Sequence, residues 1–93
     1  MANTKSALKR IRQNEIRRLR NRSRRSRMRT FIKKFRRMLE EKRLDEAKAF
    51  LPQVYAVIDR TAQKGTIHPN AAARYKSRLT QKLKALTAES ESA

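Results

Sequence analysis

The chain has no cysteine, one glycine, two prolines and only 8 acidic residues in 93. Without cysteine there is no disulfide framework, no thiol nucleophile and no thiolate metal site, and a reducing compartment fits. Gly65, Pro52 and Pro69 are the only strong breakers. β-Branched and aromatic residues never alternate over a useful length, so strand signals are poor and the chain reads as helices with two breaks. No apolar run approaches the ~18–20 residues of a membrane span. The opening MANTKSALKR lacks the apolar block of a secretory signal. A basic pattern that continues to residue 43 also argues against a removable leader.

What is abundant is positive charge. There are 26 Lys plus Arg, a formal charge of +18. Self-repulsion on that scale opposes compaction until counter-charge arrives. The charge is lopsided: residues 1–43 hold 18 basic and 3 acidic residues, and residues 44–93 hold 8 and 5. Between Arg17 and Arg29 the chain reads RRLRNRSRRSRMR, with eight arginines and no acid. Guanidinium groups packed that closely need a polyanion alongside. A phosphate backbone supplies charge at a spacing that planar guanidinium forks grip bidentately.

The apolar pattern divides the chain. Ninety-three residues make one small domain. A first helix is expected from about residue 6 to 43. Its later half carries the stripe Met28, Phe31, Phe35, Met38, flanked by Ile32 and Leu39. Traced backwards, the same face reads Arg24, Asn21, Arg17. The core should therefore stop near Met28, leaving residues 6–27 as a projecting basic rod. A second helix is expected over about 45–64, with Asp45 as N-cap and Gly65 as the C′ residue. Its inward face is Ala47, Phe50, Leu51, Val54, Ile58 and Thr61. Pro52 either bends this helix or delays its start; the bent helix is preferred. A third helix is expected over about 69–86, with Pro69 in the first turn and Ala72, Tyr75, Leu79, Leu83 and Leu86 as its stripe. Residues 87–93 should form a polar, frayed tail. The fold class is an all-α, three-helix antiparallel bundle with an extended basic N-terminal helix.

Enzymatic chemistry finds no support. His68 has no cysteine partner, and the acids do not gather around it. No Gly-rich phosphate loop exists. His68 is better placed to cap the third helix or meet RNA than to hold a metal. A basic-zipper DNA reader is the sharpest rival, but its apolar repeat would end after about two heptads, at Leu44-Asp45. Membrane or calmodulin binding fails because the charge is densest where the apolar face is weakest. The candidate nucleic-acid contacts on the first helix are Lys5, Lys9, Arg10, Arg12, Arg17, Arg18, Arg20, Arg22, Arg24, Arg25, Arg27, Arg29 and Lys33.

Together these features resemble the bacterial small-subunit ribosomal protein family numbered twenty. The resemblance rests on Ser6-Ala7-Leu8-Lys9-Arg10 with Arg12-Gln13, and on Asn21 with Arg24-Arg25-Ser26. Its most specific part is the run from Gly65 through His68-Pro69-Asn70-Ala71-Ala72-Ala73-Arg74 to Lys76-Ser77-Arg78-Leu79. In that family a His–x–Asn run leads into alanines and a Lys-Ser-Arg-Leu block. The resemblance implies a structural, non-catalytic protein of the cytoplasmic small ribosomal subunit, bound directly to its RNA and stabilising it during assembly. It implies no cofactor, metal, membrane or small-molecule substrate, and leaves room for neighbouring ribosomal proteins. By the family pattern, Arg74, Lys76, Ser77 and Arg78 form a second RNA-contact cluster, and His68 stands beside it as a candidate contact. The chain departs from the pattern at Pro52, which interrupts helix two, and at Pro69, which replaces a basic residue commonly following the histidine.

Overall fold

The computed structural model describes residues 4–92, which form three α-helices: α1 (Thr4–Glu40), α2 (Leu44–Gln63) and α3 (Pro69–Ser92). The molecule measures 73 × 22 × 15 Å with a radius of gyration of 18.6 Å. A compact chain of this length would have a radius near 12 Å. The difference is α1, whose 37 residues make a cylinder about 56 Å long.

The bundle occupies only the C-terminal half of that cylinder. Met28 is the first buried residue of α1, followed by Ile32, Phe35 and Leu39. These meet Ala47, Phe50, Val54, Val57 and Ile58 of α2 and Ala72, Leu79 and Leu83 of α3 in one core. α2 lies between its neighbours, packing on both, while α1 and α3 touch only slightly. The core therefore follows the sequence stripes with a small rotation. Phe31, Met38, Leu51, Tyr75 and Leu86 sit at its margin, and Val57 joins it. The Phe31 and Phe50 rings stack at 5.7 Å across the α1–α2 seam. On the α2–α3 side, the Tyr55 and Thr80 hydroxyls are hydrogen-bonded, and Lys76 Nζ reaches Asp59 Oδ1 at 2.8 Å.

Both connections are closed by the same backbone device. After α2, Thr66 N–H donates to the Thr61 carbonyl and Gly65 N–H to Ala62, with Gly65 at φ +75°. This is the paired-bond helix stop that glycine favours, as its position past Lys64 led one to expect. After α1, Arg43 N–H donates to Met38 and Lys42 N–H to Leu39, and Lys42 takes the left-handed residue at φ 60°. A side chain there costs about 1–2 kcal/mol. Lys42→Gly is accordingly expected to stabilise the bundle by about 0.5–1 kcal/mol, after the greater freedom of glycine in the unfolded chain is subtracted. Thermal unfolding should show a midpoint a few degrees higher; an unchanged or lower midpoint would contradict this.

Several boundaries differ from the sequence expectation. α1 starts at Thr4 rather than at about residue 6. α1 stops at Glu40 rather than Arg43, because the Lys42 reversal uses residues 41–43. α2 starts at Leu44, with Arg43 as its cap residue and no side-chain cap bond; Asp45 lies in the first turn, where its charge favours the helix without capping it. α3 does not end at Leu86 in a frayed tail but continues to Ser92. Leu86 packs against the core, the Thr87 hydroxyl returns to the Leu83 carbonyl, and no breaker follows. Pro52 lies inside an unbroken α2 on its exposed side. Lys48, whose carbonyl the ring leaves without an amide partner, is exposed as well, and the helix neither restarts nor is delayed.

Candidate nucleic-acid interface

From Thr4 to Arg20, α1 has no buried residue. This stretch of about 25 Å carries Lys5, Lys9, Arg10, Arg12, Arg17, Arg18 and Arg20 against a single acid, Glu15. Helix formers throughout, with no glycine or proline, keep it continuous with the bundle. It also exposes Leu8, Ile11, Ile16 and Leu19, which are 41–65% accessible. At about 100° per residue these four fall on the side of the helix opposite Met28, Ile32, Phe35 and Leu39. The aliphatic face of the rod is thus not a continuation of the core face.

Nearer the bundle the arginines sort into distinct environments. Arg17, Arg18, Arg22, Arg25 and Arg29, with Ser26, border a shallow groove along α1. Thr30 stands close by, but its hydroxyl returns to the Ser26 carbonyl, as a plain helix hydroxyl does. Arg24 is half-buried, its Nη1 donating to Asn21 Oδ1 at 3.4 Å. The same Asn21 oxygen accepts from the Thr66 hydroxyl at 3.0 Å, and Arg25 Nη2 donates to the Thr66 carbonyl at 3.2 Å. Asn21 and Arg25 therefore tie the root of the rod to the α2–α3 connection, with Arg24 held on Asn21. Arg27 lies over the Phe31 ring at 5.8 Å, and Lys34 over Phe50 at 5.3 Å. Lys33 is exposed on the side of α1 away from the core.

The second expected cluster is only partly assembled. Arg74 and Arg78 border a hollow on α3 with Ala71 and Tyr75, and Ser77 is exposed beside them. Lys76 points the other way. Besides its bridge to Asp59, it lies 5.8 Å from the Tyr55 ring, so its charge is already engaged by protein. His68 is the residue before α3, and its Nδ1 accepts the Asn70 backbone N–H at 3.0 Å. That is a helix cap, which leaves Nε2 as the outward-facing nitrogen.

Arg60 and Lys64 escaped the sequence reading. They stand with Arg24 and Arg27 around a cleft at the α1–α2 seam, floored by Val57 and Thr61. Their spacing of four puts them on one side of α2, next to the buried Thr61. What the sequence could not supply is which turn of α1 lies opposite.

Among the described residues, no group of His, Asp and Glu could hold a metal ion, and no helix is long and apolar enough to cross a membrane. The family model described as ribosomal protein S20 matches residues 2–84. Small ribosomal subunit protein bS20 of Dictyoglomus thermophilum (strain ATCC 35947 / DSM 3960 / H-6-12) is 52% identical over 83 residues, 89% of either chain. The protein of that name from Aquifex aeolicus (strain VF5) is 54% identical over 79 residues, 85% of this chain and 84% of its own. That from Pseudomonas aeruginosa (strain LESB58) is 51% identical over 87 residues, 94% of this chain and 96% of its own. Proteins of this family are structural and non-catalytic. With matches of this extent at both ends and through the middle, the chain belongs to the ribosomal protein S20 family.

Proposed function

We propose that this protein is a structural component of the cytoplasmic small ribosomal subunit, and that it binds the subunit's RNA directly through the basic half of α1 and stabilises the RNA fold during assembly. The observation that carries this reading is the rod from Thr4 to Arg20: helical, exposed along its whole length, and bearing seven cations against one acid. Such a helix gains nothing from its own protein. Between two phosphate-lined walls it gains on several sides at once, because the cations displace condensed counterions from the RNA. The arginine excess favours paired hydrogen bonds to phosphate over a diffuse ammonium field. The α3 pair Arg74 and Arg78, with Ser77, supplies a second contact on the helix that packs mainly on α2. The His68 ring, fixed by its cap bond, can present Nε2 to the same RNA.

The test is competition at moderate salt between folded small-subunit ribosomal RNA and random duplex DNA. The RNA should win. Its log affinity should fall with log salt at a slope of about −0.7 or steeper per phosphate contact, over roughly 8–12 contacts. Equal binding to any duplex, or an affinity almost indifferent to salt, would sink the reading and favour a DNA-compacting helix protein.

A further inference from the structure

The cleft at the α1–α2 seam is a site of its own. Arg24 and Arg27 approach it from α1, Arg60 and Lys64 from α2, and no acidic side chain lines it. Among the described residues, none of the four takes part in an ion pair with a carboxylate. Complementing the negative end of α2 accounts for Arg60 and Lys64, which lie in and just past its last turn. It does not account for Arg24 and Arg27, which belong to the middle of α1. Four cations facing one open space, with Val57 and Thr61 beneath, match a phosphate flanked by the less polar face of a ribose.

The geometry points to a composite RNA-phosphate clamp formed by Arg24, Arg27, Arg60 and Lys64, separate from the rod and present only when α2 is docked on α1. The inference rests on the RNA-binding reading and adds a defined second anchor to it. Around the α1 axis, the midpoint of Arg24 and Arg27 lies about 145° from the mean direction of the groove arginines Arg17, Arg18, Arg22, Arg25 and Arg29. The clamp and the arginine groove therefore take hold of RNA on opposite flanks of one helix. Because half of the clamp belongs to α2, RNA held there also stabilises the α1–α2 packing by mass action, which a contact to the rod alone does not.

The test compares full-length Arg60→Gln/Lys64→Gln with Lys82→Gln/Lys84→Gln, which removes the same charge from an exposed part of α3. Affinity for small-subunit ribosomal RNA is measured over a range of salt, with hydroxyl-radical footprinting of the RNA. The clamp pair should lose about 10- to 30-fold in affinity at near-physiological salt, and its salt slope should become shallower by about 1.4–1.8. It should also lose one discrete patch of backbone protection while the rod's protection remains. The α3 pair should lose less than about threefold and keep every patch. Circular dichroism of the free variants controls for folding. Should the clamp pair unfold, Arg27→Gln and Arg60→Gln in a double-mutant cycle answer the same question, since two residues holding one phosphate are non-additive. Equal losses in the two charge-matched variants, an unchanged footprint, or strict additivity in the cycle would overturn the clamp while leaving the rod intact. Parent protein that shows no preference for the RNA would overturn both.

Discussion

Replacing Arg12, Arg17, Arg18 and Arg20 together by glutamine is expected to weaken binding to small-subunit ribosomal RNA by about 100- to 1,000-fold at physiological salt. The estimate follows from counterion release. Each phosphate contact carries a log–log salt slope of about 0.7–0.9, which near 0.15 M corresponds to roughly a fourfold to fivefold factor per contact. Four contacts multiply. The slope itself should become shallower by about 3. Stability should hardly change, because all four side chains are exposed and lie outside the buried core. Glutamine is nearly as good a helix former as arginine, and losing four like charges relieves repulsion. Titrations at several salt concentrations, beside thermal melts of the free protein, check both halves. A loss below about threefold with an unaltered slope would remove the rod from the RNA interface.

Phe35→Ala should act in the opposite manner, on the fold and not on the charge. The Phe35 side chain is completely inaccessible, at the centre of the residues shared by α1 and its neighbours. Truncating a buried phenylalanine costs about 3–5 kcal/mol, from lost transfer energy plus the void left behind. A 93-residue chain has only about 5–14 kcal/mol in total, and this one works against a formal charge of +18. The thermal midpoint of the free protein is therefore expected to fall by at least about 15 °C. In low salt, where repulsion is strongest, cooperative unfolding should be lost altogether. Adding the RNA should restore part of the helicity, since a ligand that binds only the folded form shifts the balance back. A fall of less than about 5 °C would show that the core does not depend on this ring.

The two variants separate because the chain keeps its charge and its apolar surface on different stretches, and that separation was open to reading from the sequence. The stripe Met28, Phe31, Phe35, Met38, flanked by Ile32 and Leu39, and the arginines replacing it further back placed the end of the core near Met28, the first buried residue of α1. Gly65 marked its turn because glycine is the residue that the left-handed position favours. Lys42 sits in the same conformation and gave no such signal. It is held there by backbone hydrogen bonds, to which its side chain contributes nothing visible in sequence. The continuation of α3 past Leu86 was hidden for a related reason. Glu89 and Glu91 oppose the helix dipole, while the docking of Leu86 on the core favours the continuation. Lys76 was expected to meet RNA on the family pattern alone; its ion pair with Asp59 depends on how α3 is set against α2. The seam cleft was least visible of all, since its two halves are more than thirty residues apart and meet only through the register of two helices.

α1 runs from Thr4 to Glu40 without a glycine or a proline, so spike and bundle share one screw axis. Splicing a single extra residue in beside Leu19 would wind everything before it by about 100° and push it out by about 1.5 Å, without touching any side chain of the core. Seven extra residues would bring the phase back to within about 20°. Partnership with a rigid RNA cavity then depends on pitch as much as on charge: a spliced spike could keep every arginine and still be turned the wrong way in its socket.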